Sequence, residues 1–204
     1  YACSNAGISG NSSHASNIEI SNNYLFGWQT QISLFSAHDI KIHDNYLDSN
    51  TSSSTGGHGQ QMNVDGTKNV LIYNNIFKNS KTFIMGAHGN IGSNTGLAMY
   101  NNISYGQQGD SLTACFANAG SAAGNAVIGG NFHNNTFVSV NCGGRGAVFI
   151  GKLTDVSTQK SYAYNNLFYN VAHPRMDNPG FTAGAIVHDN NAYLSCTGIY
   201  SSAA

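Results

Sequence analysis

The sequence predicts an all-β solenoid: a single-stranded helix of about seven coils, with an asparagine ladder along one corner. Two observations predict it. An asparagine pair, once replaced by Asp-Asn, recurs along the whole chain: "IEISNNYLF", "IKIHDNYLD", "VLIYNNIFK", "LAMYNNISY", "GNFHNNTFV", "SYAYNNLFY" and "IVHDNNAYL". Its second member stands at positions 23, 45, 75, 102, 135, 166 and 191, and self-similarity at roughly 20–50 residues marks solenoids, propellers and repeat arrays. Ahead of each pair, apolar residues alternate with a period of two, as in a strand with one buried face.

Each element follows from that register. Five and three residues before the second asparagine stand Ile18/Ile20, Ile40/Ile42, Val70/Ile72 and Leu97/Met99. Glu19, Lys41, Leu71 and Ala98 lie between them and face outward. Two residues after the asparagine a large residue returns: Leu25, Leu47, Phe77, Phe137, Phe168 and Tyr193, with Ser104 the exception. The chain therefore makes a strand, bends, and points inward again. Asparagine tolerates the left-handed backbone such a bend needs, and its amide can bond the backbone. Asparagines stacked at the strand spacing can also bond one another from coil to coil. In the sixth repeat Ser161 and Ala163 take the inward places and Tyr162 and Tyr164 face the other way. A second strand type is expected in "QISLFSAH", "QQMNVDG", "KTFIMGAH", "SLTACFAN" and "RGAVFIGK". One strand and one corner per repeat is too little for a propeller blade, and no helical or leucine-rich signal is present.

Length and composition suit one domain over residues 1–204. Charged residues make up 8% of the chain and the formal net charge is −1, which gives no electrostatic footprint for nucleic acid or an anionic membrane. No apolar run is long enough to span a bilayer as a helix. Cys3, Cys115, Cys142 and Cys196 read as two disulfides of open connectivity. Together with the Ser, Thr, Asn and Gly richness they point to a secreted, extracellular protein. The terminal stretches "YACSNAGISGN" and "CTGIYSSAA" make poor end caps. The expectation is that the chain is part of a longer one or associates end to end, because an open coil exposes unpaired strand edges.

On these repeats the chain resembles the right-handed parallel β-helix superfamily, the pectate-lyase-like fold, over residues 14–196. The resemblance implies polysaccharide as partner and a lyase or glycoside hydrolase as the activity, or a sugar-binding relative without one. The alternative is a structural or adhesive β-helix, such as a filament, sheath or fibre subunit. A hydrolase needs two carboxylates roughly 5–10 Å apart, and a lyase needs a base with a cation such as Ca²⁺. The few acids form no ligand cluster, so no cofactor is expected. Aligning the second strand type on its ends puts His38, Asp65 and His88 in one column, where a carboxylate between imidazoles would set up a general base or acid. They are the candidate catalytic residues, set against a reading as polar turn residues. His58, Trp28, Tyr73, Tyr100 and Lys152 are the candidate substrate-binding residues. The two tyrosines belong to an outward stripe with Tyr164, His43 and His133, which suits sugar rings or stacking between coils.

Overall fold

The computed structural model describes residues 6–11, 15–50, 60–80, 83–86, 91–106, 117–119, 127–141, 148–150, 160–174 and 186–198. Every described element is a β-strand and every pairing between strands is parallel. They form three sheets that together wrap one solenoid. Sheet A stacks β1 (Ala6–Asn11), β4 (Thr30–Phe35), β7 (Gln60–Asp65), β10 (Phe83–Gly86), β13 (Ala117–Ala119) and β17 (Val148–Ile150) in that order. Sheet B stacks β2 (Ser16–Ser21), β5 (His38–His43), β8 (Lys68–Tyr73), β11 (Asn94–Tyr100), β15 (Asn131–His133), β18 (Ser161–Tyr164) and β20 (Ile186–Asp189). The short β14 (Val127–Ile128) also pairs with β11. Sheet C runs β3 (Tyr24–Phe26), β6 (Tyr46–Asp48), β9 (Ile76–Lys78), β12 (Ile103–Tyr105), β16 (Thr136–Val138), β19 (Leu167–Tyr169) and β21 (Ala192–Leu194).

Sheets B and C are thus seven layers deep in the main stack, but the regular part is shorter than the expected seven coils. About four coils carry long strands. Beyond β12 the described strands shrink to two to four residues. The sequence also foresaw only a bend after each asparagine pair. The chain there makes a third strand of three residues before turning again.

The pair divides its labour. The first member takes the left-handed conformation: Asn22, Asp44, Asn74, Asn101, Asn134, Asn165 and Asn190 have φ between 52° and 58°. The second turns its amide inward and builds the ladder. Nδ2 of Asn23, Asn45, Asn75, Asn102, Asn135 and Asn166 donates to Oδ1 of the next member at 2.9–3.1 Å, the last acceptor being Asn191. That same Oδ1 also accepts the preceding member's backbone N–H. From Asn45 onward Nδ2 further donates to a strand carbonyl one coil back, such as Ile42 for Asn75 and Ile72 for Asn102. The corner would otherwise leave backbone groups unpaired inside the protein, which is costly.

The core lies between the sheets as columns of like residues. Ile20, Ile42, Ile72, Met99, Phe132 and Ala163 form one and Leu47, Phe77, Phe137 and Phe168 another, all buried. The rings of Phe137, Phe168 and Tyr193 stack at 4.9 and 5.2 Å. The sixth repeat behaves as its sequence implies, with Ser161 and Ala163 buried and Tyr162 exposed. Two buried glutamines add a second polar row. Gln31 donates to the carbonyls of Leu25 and Asp48, and Gln61 to those of Leu47 and Lys78, so each ties two coils together. Cys196 carries a free thiol; Cys3, Cys115 and Cys142, the other members of the expected two bridges, lie outside the described residues. The Cys196 Sγ contacts the carbonyl oxygens of Phe168 and Leu194 at 3.4 and 3.3 Å.

Candidate functional site

The expected catalytic column does not form between its two described members. His38 opens β5 in sheet B, where its register partners are Ser16 and Lys68. Asp65 closes β7 in sheet A, opposite Phe35. Alignment on strand ends had slipped by three residues, the length of the corner from Phe35 to His38. Asp65 is also buried, 2% exposed, and its Oδ1 accepts the Ile91 N–H at 3.1 Å. Asn63, on the same face of β7, is buried as well, so this stretch of sheet A is covered on both sides. His88, His58 and Lys152 lie outside the described residues. Trp28 sits in the turn between β3 and β4 with its indole over Gly7 of β1, where an added Cβ would stand 3.2 Å from Cδ1. That position is at the edge of sheet A, away from the open face of sheet B.

The outward stripe is real and is a stack. Rings of His43, Tyr73, Tyr100, His133 and Tyr164 follow one another at centroid distances of 4.7, 5.1, 5.1 and 4.9 Å, tilted by at most 8°. Both faces of Tyr73 and of Tyr100 are therefore occupied by neighbouring rings. What these two tyrosines offer a ligand is the hydroxyl edge, not a ring face to stack on.

A second feature of sheet B precedes this stack along each strand. The residues just before the first inward aliphatic of four successive coils are Asn17, Asp39, Asn69 and Gly96, and all have φ between 53° and 65°. They bulge each strand of sheet B outward in register. Asn69 Nδ2 donates to Asp39 Oδ1 at 2.9 Å. A Cβ on Gly96 would stand 2.8 Å from Asn69 Oδ1, so glycine is required there twice over. The signal was in the sequence, since only residues that tolerate a left-handed backbone fill this position.

These bulges wall a groove of about 480 Å³ on the outer face of sheet B. Asn17, Glu19, Asp39, Lys41 and Asn69 supply its polar groups and the outward Leu71 its apolar side chain, while Ile18 and Ile40, which also border it, turn their side chains to the core. His38 stands next to it, with Nδ1 2.7 Å from Asp39 Oδ2 and 42% of its side chain exposed. Asn69 and then His38, by hydrogen bonding to the carboxylate, hold the Asp39 pKa below its usual value. At the groove's other rim His43 is clamped on both nitrogens, by Asp44 at 2.7 Å and Glu19 at 3.1 Å. The Asp44 bond, with Glu19 behind it, pushes the His43 pKa up against the opposing effect of burial. Further along the stack, burial alone pulls His133 down.

The two histidines give opposite pH dependences. His43, raised above 6.5, contributes stability that is fully present at lower pH and is lost as pH rises through its folded value. His133, lowered from 6.5, contributes stability that is present above 6.5 and is lost as pH falls through its folded value. His43→Gln is expected to flatten the alkaline side of a plot of urea midpoint against pH, and His133→Gln the acid side.

No known protein family, curated protein or solved structure matches the chain. Among the described residues no group of three or more His, Cys, Asp or Glu side chains is placed to hold a metal ion.

Proposed function

We propose that the protein is a secreted, pectate-lyase-like β-solenoid that binds an extended extracellular polysaccharide along the groove of sheet B. The groove itself carries the reading. It runs across successive coils, so amides and carboxylates recur along it about every 4.8 Å. A row of such groups around the outward Leu71 side chain suits the hydroxyls and C–H faces of a sugar chain. The hydroxyl edges of Tyr73 and Tyr100 border the same face, and His38 stands at the other side.

Binding without cleavage fits the groove better than hydrolysis or elimination. A general acid needs a raised carboxyl pKa, and Asp39 is displaced downward. Glu19 and Asp44 both engage His43, and with each of its nitrogens bonded to a carboxylate the imidazole is a poor base. A structural or adhesive role is the second reading, favoured by the burial of Asp65 where an open catalytic face was expected.

Calorimetric titration with soluble polysaccharide fragments tests the proposal. Asp39→Asn with Asn69→Gly removes the groove's recognising groups and keeps residues that tolerate the left-handed backbone. Affinity is expected to fall at least tenfold with little change in melting temperature, and the unaltered protein is expected to release no new reducing ends. Failure of the unaltered protein to bind any fragment, neutral or acidic, would leave the structural role standing.

A further inference from the structure

The outer face of sheet C is a second surface with its own chemistry. Strand register sets its outward residues in two columns. Tyr24, Tyr46, Ile76, Ile103, Thr136, Leu167 and Ala192 form one. Phe26, Asp48, Lys78, Tyr105, Val138, Tyr169 and Leu194 form the other. Of these, Tyr24, Phe26, Ile103, Tyr169 and Leu194 are 65%, 58%, 44%, 49% and 53% exposed. Only Asp48 and Lys78 carry charge, and they pair with each other at 3.6 Å. Antiparallel sheets often turn a polar face to water. This parallel face instead offers hydroxyls on an apolar ground, with the Tyr46 and Tyr105 hydroxyls 3.0 Å apart and able to accept further bonds.

We infer that this strip binds the surface of an uncharged, insoluble polysaccharide. The inference rests on the carbohydrate reading of the groove but uses a different face of the solenoid. Shape argues for a narrow partner. Seven strands about 4.8 Å apart and three residues wide make a footprint of roughly 30 by 10 Å, or about 300 Å², whereas a stable protein partner covers about 800 Å² per side. Charge argues for a neutral one, because the single ion pair is already satisfied within the strip and leaves nothing to attract an acidic chain. Tyrosine suits a ligand that is apolar on one side and hydroxylated on the other. Tyr24 and Phe26 lie parallel, centroids 6.4 Å apart and 7° tilted, with Tyr46 5.4 Å from Tyr24, so the strip's most open end is its aromatic one.

The test is depletion from solution by suspended microcrystalline cellulose or chitin, beside a pectate gel as the acidic control. The unaltered protein is expected to partition onto a neutral solid, and the groove variant Asp39→Asn/Asn69→Gly, with the strip alone left to bind, onto the neutral solid and not onto pectate. Tyr24→Ser with Phe26→Ser and Tyr169→Ser is expected to lower the partition at least tenfold. Ile103→Lys, a single change in the same strip, guards against a folding defect and is expected to lower it several-fold. On the neutral solid the groove variant should partition like the unaltered protein, while fragment titration reads the groove alone, so the two proposals fail separately. Undiminished partition of the strip variants would overturn the inference. So would a concentration-dependent dimer in sedimentation that the same substitutions dissolve, since the strip would then be covered by a second copy.

Discussion

Asn102→Ala is expected to cost about 3–5 kcal/mol, since it leaves several buried polar groups unpaired at about 1–3 kcal/mol each, discounted for partial relaxation. The Asn75 backbone N–H and Nδ2 both lose their acceptor, the Ile72 carbonyl loses a donor, and Asn135 Oδ1 loses the Nδ2 donor while keeping the backbone N–H of residue 102. Asn23→Ala, at the first rung, removes only donors: its Nδ2 bonds go to Ser21 O and Asn45 Oδ1, and nothing among the described residues donates to its Oδ1. It is expected to cost about 1 kcal/mol, the net worth of an ordinary hydrogen bond. Urea denaturation of the two variants side by side measures the difference. Equal effects would mean that the ladder is not a cooperative support.

Phe168→Ala is expected to cost about 3–5 kcal/mol, the range for deleting a buried ring and leaving its cavity. The side chain is fully buried between Phe137 and Tyr193, and neither neighbouring strand can close the gap without breaking its ladder bonds. The same column contains the opposite case. Ser104 stands between Phe77 and Phe137 in register, 2% exposed, with no hydrogen-bond partner for its hydroxyl. Ser104→Ala removes an orphaned buried hydroxyl and is expected to raise stability by about 1 kcal/mol. Thermal melts of the pair decide it. A loss of stability on Ser104→Ala would show that the hydroxyl is bonded.

The fold was legible because a single residue type does one job in every coil. An asparagine that must both accept from one layer and donate to the next admits few substitutes, so its spacing survives in plain view. The corner between sheets A and B has no such residue. Ser36 and Gly66 both take positive φ there, but nothing in their types announces equivalence. Strand ends were therefore matched on His38, three residues past the true partner of Asp65. The groove was half legible: Asn17, Asp39, Asn69 and Gly96 share a conformational tolerance rather than a chemistry, and a search for catalytic groups passes over it. Gln31 and Gln61 were hidden for a different reason. A glutamine that buries itself to staple two carbonyls looks like any polar residue at a strand's start.

The left-handed rows have a consequence for how such a chain can be lengthened or rebuilt. From one row to the next the count never varies: Asn17 to Gly27, Asp39 to Ser49, Asn69 to Asn79, Gly96 to Gly106 and Gly129 to Ser139 each span eleven residues. Rung-to-rung separation meanwhile ranges from 22 to 33 residues. All the variation therefore falls outside an invariant cassette. An added residue in the remainder is absorbed by a loop when it falls outside the strands of sheet A, whereas one added inside the cassette turns every following side chain of that strand to the opposite face. Whole coils are accordingly interchangeable parts. Excising residues 75–101, which join one rung to the next, brings Asn74 up to Asn102 and leaves a shorter solenoid with matching rungs, and repeating the same stretch gives a longer one.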